Sequence, residues 1–421
     1  MQTLCVRALS AMILLVGFLR SAPAAATEGV LSLEVGPEYY GGEYFADIVP
    51  AFSLDAKFLS FEIDAPFRLR LNSALSNTRG FWLREDYDAL SAAGRVLRRV
   101  DVTLGERTFV GHLGALSHQT LGRGTIVDDF GNSLMPDSQP VGLTARLAVG
   151  PVAVEALGAN LLGLDVTALS VAIEPLSLWG APNDRMHVAL SAAVDWDAQA
   201  QVAQRLAVFG ASGDAALVRT EPVKLAPYVD FNSTSRGGHG LHVGVLVDLK
   251  VDWLELSLRA EYRHTRGPYQ PEYFDLAYPL ERANALVEPV SLDVASLAKA
   301  DIPYGTNDSW RAEVRARIGP LSLSVNVDDR GRDPFTGARV TDASAVAQVE
   351  TDKLSVAAFA AARQFDWGHN PGRVLAFAEV RYRITPYLHA WTIGGRQYRL
   401  DGDGPREIWQ VGGGLGGSIG F

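Results

Sequence analysis

Ionisable side chains recur at every second position in the C-terminal half of the chain. Residues 310–318 read Trp-Arg-Ala-Glu-Val-Arg-Ala-Arg-Ile, so charged and apolar residues alternate. Guanidinium groups keep their charge and present a planar set of donors to carboxylate, sulfate or phosphate oxygens. The residues that share this pattern are Arg259, Arg263, Arg311, Glu313, Arg315, Arg317, Arg363, Arg373, Glu379, Arg381 and Arg383. They predict a charged wall that either guides an anionic solute or is held together by ion pairs between neighbouring strands.

Two long segments without strand-like alternation are candidates for narrowing the space beside this wall. They span residues 117–140 and 265–307, and loops of this length are usually either functional or disordered. An aromatic face covers the apolar surface of a sugar ring while a phenol takes hydrogen bonds, which suits a carbohydrate path. The alternative is that the tyrosines anchor an external loop at a membrane interface. The candidate constriction residues are Asp128, Asp129, Tyr269, Tyr273 and Tyr278.

Alternation with period two runs through most of the chain and indicates β-strands. Residues 58–72 place apolar side chains on one face and Glu62, Asp64, Arg68 and Arg70 on the other. Four ionisable groups on one face of a strand need water or one another. Many such runs reach about ten residues, the length that a tilted strand needs to cross a membrane. The sequence therefore predicts an all-β fold, a transmembrane antiparallel up-and-down β-barrel of about 18 strands, within a range of about 16–20.

The chain ends on an aromatic residue at the close of one such strand. Trp409, Val411, Leu415, Ile419 and Phe421 share one face, while glutamine, serine and glycine fill the other. A strand of this kind suits a sheet with lipid outside and water inside. The ending resembles the closing strand of bacterial outer-membrane β-barrels. The resemblance implies that Trp409 and Phe421 belong to the signal read by the barrel-assembly machinery.

The connections between the strands alternate in length, which supports the same fold. Tight links such as Gly150-Pro151 and Gly319-Pro320 alternate with long ones such as 117–140 and 265–307. Outer-membrane barrels keep short turns on the periplasmic side and long loops outside.

The N-terminal segment has the layout of a cleaved secretory signal. Arg7 precedes an apolar run, and a small-residue segment ends in Ala26. We therefore predict a signal peptide at 1–26 and a single outer-membrane barrel domain at 27–421. Cys5, the one cysteine of the chain, lies before the apolar run, which argues against a lipoprotein anchor.

Charge and composition narrow the classes of function. The chain carries 38 basic and 48 acidic residues, a net charge of −10, which argues against a nucleic-acid partner. His264 and His389 fall on predicted outward faces without a serine and an acid placed beside them. Asp401 and Asp403 lack the full pattern of a calcium loop. We predict no catalytic residue, no metal, no cofactor and no enzymatic activity.

Three functions remain open. The first is an outer-membrane channel for a hydrophilic solute, preferably a carbohydrate. In size and in its charged wall the chain loosely resembles the polysaccharide-export porins, which implies an exported anionic polysaccharide and periplasmic export components as partners. The second is a structural barrel that anchors a multiprotein envelope machine, its lumen closed by ion pairs and the 265–307 loop. The third is a nutrient-uptake porin. Outer-membrane lipid and lipopolysaccharide are expected partners of all three.

Overall fold

The computed structural model describes most of the chain after the N-terminal segment. The described residues are 28–71, 93–105, 108–133, 139–163, 165–180, 185–198, 205–282, 299, 302, 305–334, 337–365, 373–401 and 404–420. The predicted signal peptide and Phe421 lie outside them.

Antiparallel strands account for nearly all of the regular structure. In chain order they are β1 Glu28–Tyr40, β2 Glu43–Ala56, β3 Leu59–Asp64, β4 Phe67–Arg70, β5 Leu97–Leu104, β6 Phe109–Gly114, β7 Gly142–Val149, β8 Val152–Gly158, β9 Val166–Ile173, β10 Met186–Asp195, β11 Leu206–Ala215, β12 Val218–Arg219, β13 Val223–Thr234, β14 His239–Val251, β15 Leu254–Arg266, β16 Asn307–Ile318, β17 Leu321–Arg332, β18 Arg339–Glu350, β19 Leu354–Phe365, β20 Arg373–Thr385, β21 Leu388–Asp401 and β22 Gly404–Gly420. Short helical turns lie at Ala93–Val96, Pro175–Trp179 and Tyr278–Glu281.

Each strand pairs with its neighbours in sequence, and the sheet closes on itself. β1 pairs antiparallel with β22 from Val30 opposite Gly420 to Tyr40 opposite Gln410. β3 and β4 both pair with β2 and form one stave, or crossing of the wall, interrupted at Ala65 and Pro66. β11 and β12 likewise form one stave along β13. The 22 strands therefore make a closed barrel of 20 staves.

The predicted all-β antiparallel barrel is confirmed, but the central value of 18 strands is too low. The charged strands lie where the sequence places them, for example β15 and β16. Several staves between β5 and β9 have only six to eight residues, too short for a length criterion of about ten residues to count them reliably. Proline cannot donate to the ladder, which explains why the predicted strand 58–72 is broken at Pro66.

The outer surface carries an apolar band bordered by aromatic residues. Leu190, Val243 and Leu415 are about half exposed or more and point away from the lumen. Large aromatic side chains border the band at both ends, as they do in barrels that cross a lipid bilayer. At the end with short turns these are Phe58, Trp179, Trp253 and Tyr387, and at the end with long loops they are Tyr44, Tyr262, Trp310 and Trp409. No helix of the described residues has the length and apolar character to cross a membrane.

A matched pair of arginine substitutions tests which face meets lipid. Leu190 on β10 is 64% exposed on the outside, whereas Ser212 on the adjacent β11 lines a lumenal cavity. We expect Leu190→Arg to lower the free energy of unfolding in phospholipid vesicles by about 2–4 kcal/mol, because it places a charge in the hydrocarbon. Ser212→Arg faces water and acids, so its effect is expected to stay within about 0.5 kcal/mol. Equal losses from the two substitutions, measured by urea unfolding, would contradict the assigned faces.

Candidate functional site

The two long loops fold into the barrel and meet each other there. The loop between β6 and β7, described at 115–133 and 139–141, contacts the segment 267–282 that follows β15. Val127 and Phe274 form a parallel β-bridge, and the backbone N–H of Asp128 donates to the carbonyl of Phe274 at 3.1 Å. A buried apolar cluster joins these loops to inward-facing wall residues. It consists of Leu116, Leu121, Ile126, Val127, Phe130, Leu157, Ala159, Val166, Ala168, Ala193, Ala198, Leu206, Val208, Tyr269, Tyr273, Phe274 and Tyr278.

Small residues on the wall leave room for the loop side chains. A Cβ on Gly210 would lie 2.9 Å from Ile126, and a Cβ on Gly240 would lie 2.3 Å from the ring of Tyr269. The hydroxyl of Tyr269 forms a hydrogen bond of 2.9 Å with Nε2 of His242 on β14. A larger side chain at either glycine would collide with the loop side chain packed against it and displace the loop.

Wall arginines bind two loop carboxylates, which we call the acid clamp: Glu272 and Asp275. Glu272 pairs with Arg263 of β15 and Arg311 of β16. Asp275 pairs with Arg330 of β17 at 2.8 Å and also with Arg363 of β19. Both carboxylates and these arginines are buried or nearly so. Because an unpaired buried charge is strongly destabilising, the clamp fixes the 267–282 segment against four staves.

Further contacts extend the clamp to the rest of the two loops. Arg311 also reaches Asp128 of the first loop at 2.5 Å. Farther along the wall, Asp195 of β10 accepts from Tyr278 and, at 2.5 Å, from Arg282. The hydroxyl of Thr125 donates to Asp230 at 2.6 Å. The loops are thus held by strands along the stretch of wall from β10 to β19.

The ionisation of the loop acids reflects this environment. Burial alone would raise the pKa of Glu272, but Arg263 and Arg311 outweigh it and hold the pKa well below its usual range. The pKa of Asp275 is lowered in the same way, with Arg363 and Lys299 outweighing burial. For Asp128 burial outweighs the attraction of Arg311, and its pKa is raised. The acid clamp therefore remains charged over the physiological pH range.

A histidine in the first loop offers a titratable contact. Nδ1 of His118 lies 2.5 Å from a carboxylate oxygen of Asp129, and this hydrogen bond raises the pKa of His118 above its ordinary value despite partial burial. We expect an NMR titration to give a pKa above about 6.5, and Asp129→Asn to lower it. Because the pKa is raised in the folded state, the pair stabilises the loop at low pH, and this contribution is lost as pH rises through the raised pKa. An unchanged titration in Asp129→Asn would refute the pairing.

The predicted arginine wall divides into two sets with different surroundings. Near the long-loop end Arg259, Arg263, Arg311, Glu313, Arg363 and Arg373 are largely buried. Toward the short-turn end the remaining predicted wall residues line cavities. These are Arg315, Arg317, Glu379, Arg381 and Arg383.

The predicted constriction residues all lie in the inserted loops. Tyr269, Tyr273 and Tyr278 are buried inside the barrel rather than placed at an external interface. Asp128 is buried against Arg311, whereas Asp129 is partly exposed beside His118. The tyrosines therefore lie in the lumen, packed against the wall and against one another.

One predicted orientation is wrong. His389 does not face outward: its Nε2 lies 3.0 Å from Glu34 of β1, which also binds Arg381 at 2.5 Å inside the lumen. His389 pairs directly with Arg383 across β20 and β21, and directly paired residues point to the same face of a sheet, so His389 shares the inward face of Arg381 and Arg383. His264 does lie at the outer rim, hydrogen-bonded to Asp308.

Sequence analysis missed several residues that hold the loops. Glu272 and Asp275 were not singled out, nor were Arg330 of β17 and Asp195 of β10. The available signal was the pair of acids within the tyrosine-rich segment 269–278, flanked by arginine-bearing strands. Among the described residues no group of three or more His, Cys, Asp or Glu is arranged to hold a metal ion.

Fold and site together define the class: a large closed antiparallel barrel whose lumen is partly filled by its own loops. No family model and no curated protein sequence matches the chain. Among solved structures it is similar to the outer membrane protein OpdK from Pseudomonas aeruginosa, with 11% identity, a TM-score of 0.36 and coverage of 94% of this chain and 99% of that chain. It is also similar to a BenF-like porin from Pseudomonas fluorescens Pf-5, with 8% identity, a TM-score of 0.37 and coverage of 94% of this chain and 99% of that chain. A third similar structure is the siderophore receptor PirA from Acinetobacter baumannii, with 8% identity, a TM-score of 0.38 and coverage of 95% of this chain and 81% of that chain. These low scores carry no argument about function.

Proposed function

We propose that the protein is an outer-membrane channel for small hydrophilic solutes, of the nutrient-uptake kind. The observation that carries this proposal is the pair of loops clamped inside a barrel of 20 staves. A barrel of this size would otherwise enclose a wide aqueous channel. Filling part of it with fixed loops produces a sieve, which suits small solutes better than a polymer in transit.

The location in the outer membrane is supported by the surface of the barrel. The apolar band and its two aromatic borders suit a bilayer, and the charged lumen suits water. The long-loop end is assigned to the outside and the short-turn end to the periplasm, as in other barrels of this kind.

The dimensions of the remaining space favour small solutes over an exported polysaccharide. A cavity of about 480 Å³ lies between the inserted loops and a wall formed by β4, β5 and β19–β22. This volume falls within the range of small-molecule sites. The proposal also includes insertion by the barrel-assembly machinery and contact with lipopolysaccharide in the outer membrane.

Conductance of the refolded protein in planar bilayers tests the function. We expect a steady current that is reduced when the lumenal Arg315 and Arg381 are replaced by Glu, because each change reverses a charge beside the water-filled space. Asp308→Asn, at the outer rim beside His264, serves as the control. A complete absence of current from correctly folded barrels would overturn the channel and favour a structural anchor.

A further inference from the structure

The ladder that closes the barrel is interrupted partway along its length. At the seam, where β1 meets β22, residues 30–35 and 38–40 of β1 pair with β22, whereas Gly36 and Pro37 do not. The register is the same on both sides of the interruption, so no residue is inserted there. By comparison, β14 pairs with β15 over its whole length. The seam therefore consists of two short ladders separated by a gap.

Proline accounts for the missing pair. Gly41 donates to the carbonyl of Trp409 at 3.3 Å, and hydrogen-bonded pairs alternate with non-hydrogen-bonded pairs along an antiparallel ladder. Counting back by twos from Gly41, Pro37 lies where an N–H would be donated to Gly413. Proline has no such N–H. The carbonyl of Gly413 therefore lacks the donor that any other residue at position 37 would supply.

Glycines occupy the facing positions on the inner side of the gap. A Cβ on Gly36 would collide with the carbonyl oxygen of Gly413, and a Cβ on Gly414 would collide with that of Val35. Glycine is used where another backbone approaches this closely. No side chains interlock across the seam at this point, so β1 and β22 can separate here without repacking any.

The outer side of the gap lies in the apolar band. Pro37 is exposed on the barrel surface, and Val35, Val411 and Leu415 around it are about half exposed. Trp409 of the aromatic border lies further along the same face of β22. Backbone groups without partners are costly in hydrocarbon. An interruption at this depth therefore points to a function beyond closure of the sheet.

The inner side of the gap is also apolar. Trp391 and Ile393 of β21 pair directly with Arg381 and Glu379, and directly paired residues share a face of the sheet, so both point into the lumen. A Cβ on Gly412 would lie 3.1 Å from Ile393 and 3.5 Å from Trp391. These two side chains therefore lie beside the gap, and apolar groups border it from lumen to lipid.

We propose that β1 and β22 part at Gly36 and Pro37 to form a lateral portal, through which uncharged apolar molecules pass between the lumen and the bilayer. Trp391 and Ile393 receive such a molecule on the inner side. Charged solutes are excluded because the portal leads into hydrocarbon. This activity is additional to the passage of hydrophilic solutes along the barrel axis and does not depend on it.

Transfer of N-phenyl-1-naphthylamine, an uncharged dye that fluoresces in lipid, tests the portal. The full-length barrel is placed in vesicles with an outer leaflet of lipopolysaccharide, which slows the entry of apolar molecules. We expect the wild type to speed the rise in fluorescence severalfold over protein-free vesicles. Pro37→Val restores the donor to Gly413 and should bring the rate back to the protein-free level.

A second proline provides the matched control. Pro227 of β13 lies beside the existing break between β11 and β12, so Pro227→Val should keep the wild-type rate. A wild-type rate equal to that of protein-free vesicles, an unchanged rate in Pro37→Val, or equal slowing by both substitutions overturns the portal. Ion conductance should be the same in all three proteins, and dye transfer without any current would refute the aqueous channel alone.

A reversible cross-link tests the same opening within one protein. Tyr39 and Val411 pair directly across the seam, and the Cα atoms of such a hydrogen-bonded pair lie about 5.5 Å apart, within the span of a disulfide. In a Cys5→Ser background, Tyr39→Cys with Val411→Cys should transfer dye when reduced and stop when oxidised. Equal transfer in the two states, with the cross-link shown to be complete, overturns the proposal.

Discussion

Removing the acid clamp is expected to open the barrel. In the double variant Glu272→Gln with Asp275→Asn, the loop loses both charges that pair with the wall arginines. Breaking a buried pair by deleting one partner costs about 3–5 kcal/mol, and about 3 kcal/mol shifts a docking equilibrium about a hundredfold. We expect the 267–282 segment to leave the lumen, with a severalfold rise in single-channel conductance and new protease cleavage within the loop.

The control for this variant changes the same charges at a place that holds no loop. Asp308→Asn with Glu407→Gln removes two carboxylates at the exposed outer rim and should leave conductance and proteolysis unchanged. Wild-type conductance in the clamp variant, together with an uncut loop, would show that these acids do not hold the loop in place.

Arg263→Leu is expected to be the most destabilising single substitution. Arg263 is completely buried and pairs with Glu261 and Glu272, and with Asp328 at 2.6 Å. Its removal leaves three carboxylates without this shared cation, so we expect a loss of about 3–5 kcal/mol in the free energy of unfolding. Urea unfolding of protein folded in lipid vesicles measures the loss.

A neighbouring arginine and a double variant separate charge from packing. Arg266→Leu lies on the same strand but at the exposed rim, and should cost no more than about 0.5 kcal/mol. Adding Glu272→Gln to Arg263→Leu should recover part of the loss, because one of the uncompensated charges is removed. Strict additivity of the two substitutions would contradict their coupling.

The barrel could be predicted from sequence because its outer face is apolar and its inner face is polar, which imposes an alternation of apolar and polar residues along each strand. Over residues 254–263 of β15 and 310–318 of β16 each apolar residue faces outward and each charged residue inward, so period two suffices to identify strand and face there. The number of staves was less accessible. Short staves such as β6 and β8 carry little pattern of their own, and their length is set by pairing with neighbours.

The site was only partly accessible because its contacts link residues far apart in sequence. The arginines of the wall were visible, but the partners of Arg263 and Arg311 lie in a loop without periodicity. Nothing local indicates that Val127 will pair with Phe274. Gly210 and Gly240 could have indicated where the loops pack against the wall, since inward-facing glycines on long strands mark places where other side chains approach closely.

The clamped loop can also be regarded as a ligand that the barrel carries with it. Its ends are fixed to β15 and β16, the strands that supply Arg263 and Arg311. Docking is consequently intramolecular. The fraction of barrels with a docked loop is therefore independent of protein concentration and depends on the balance between buried ion pairs and loop entropy. A modest change in that balance would shift this fraction without any other molecule.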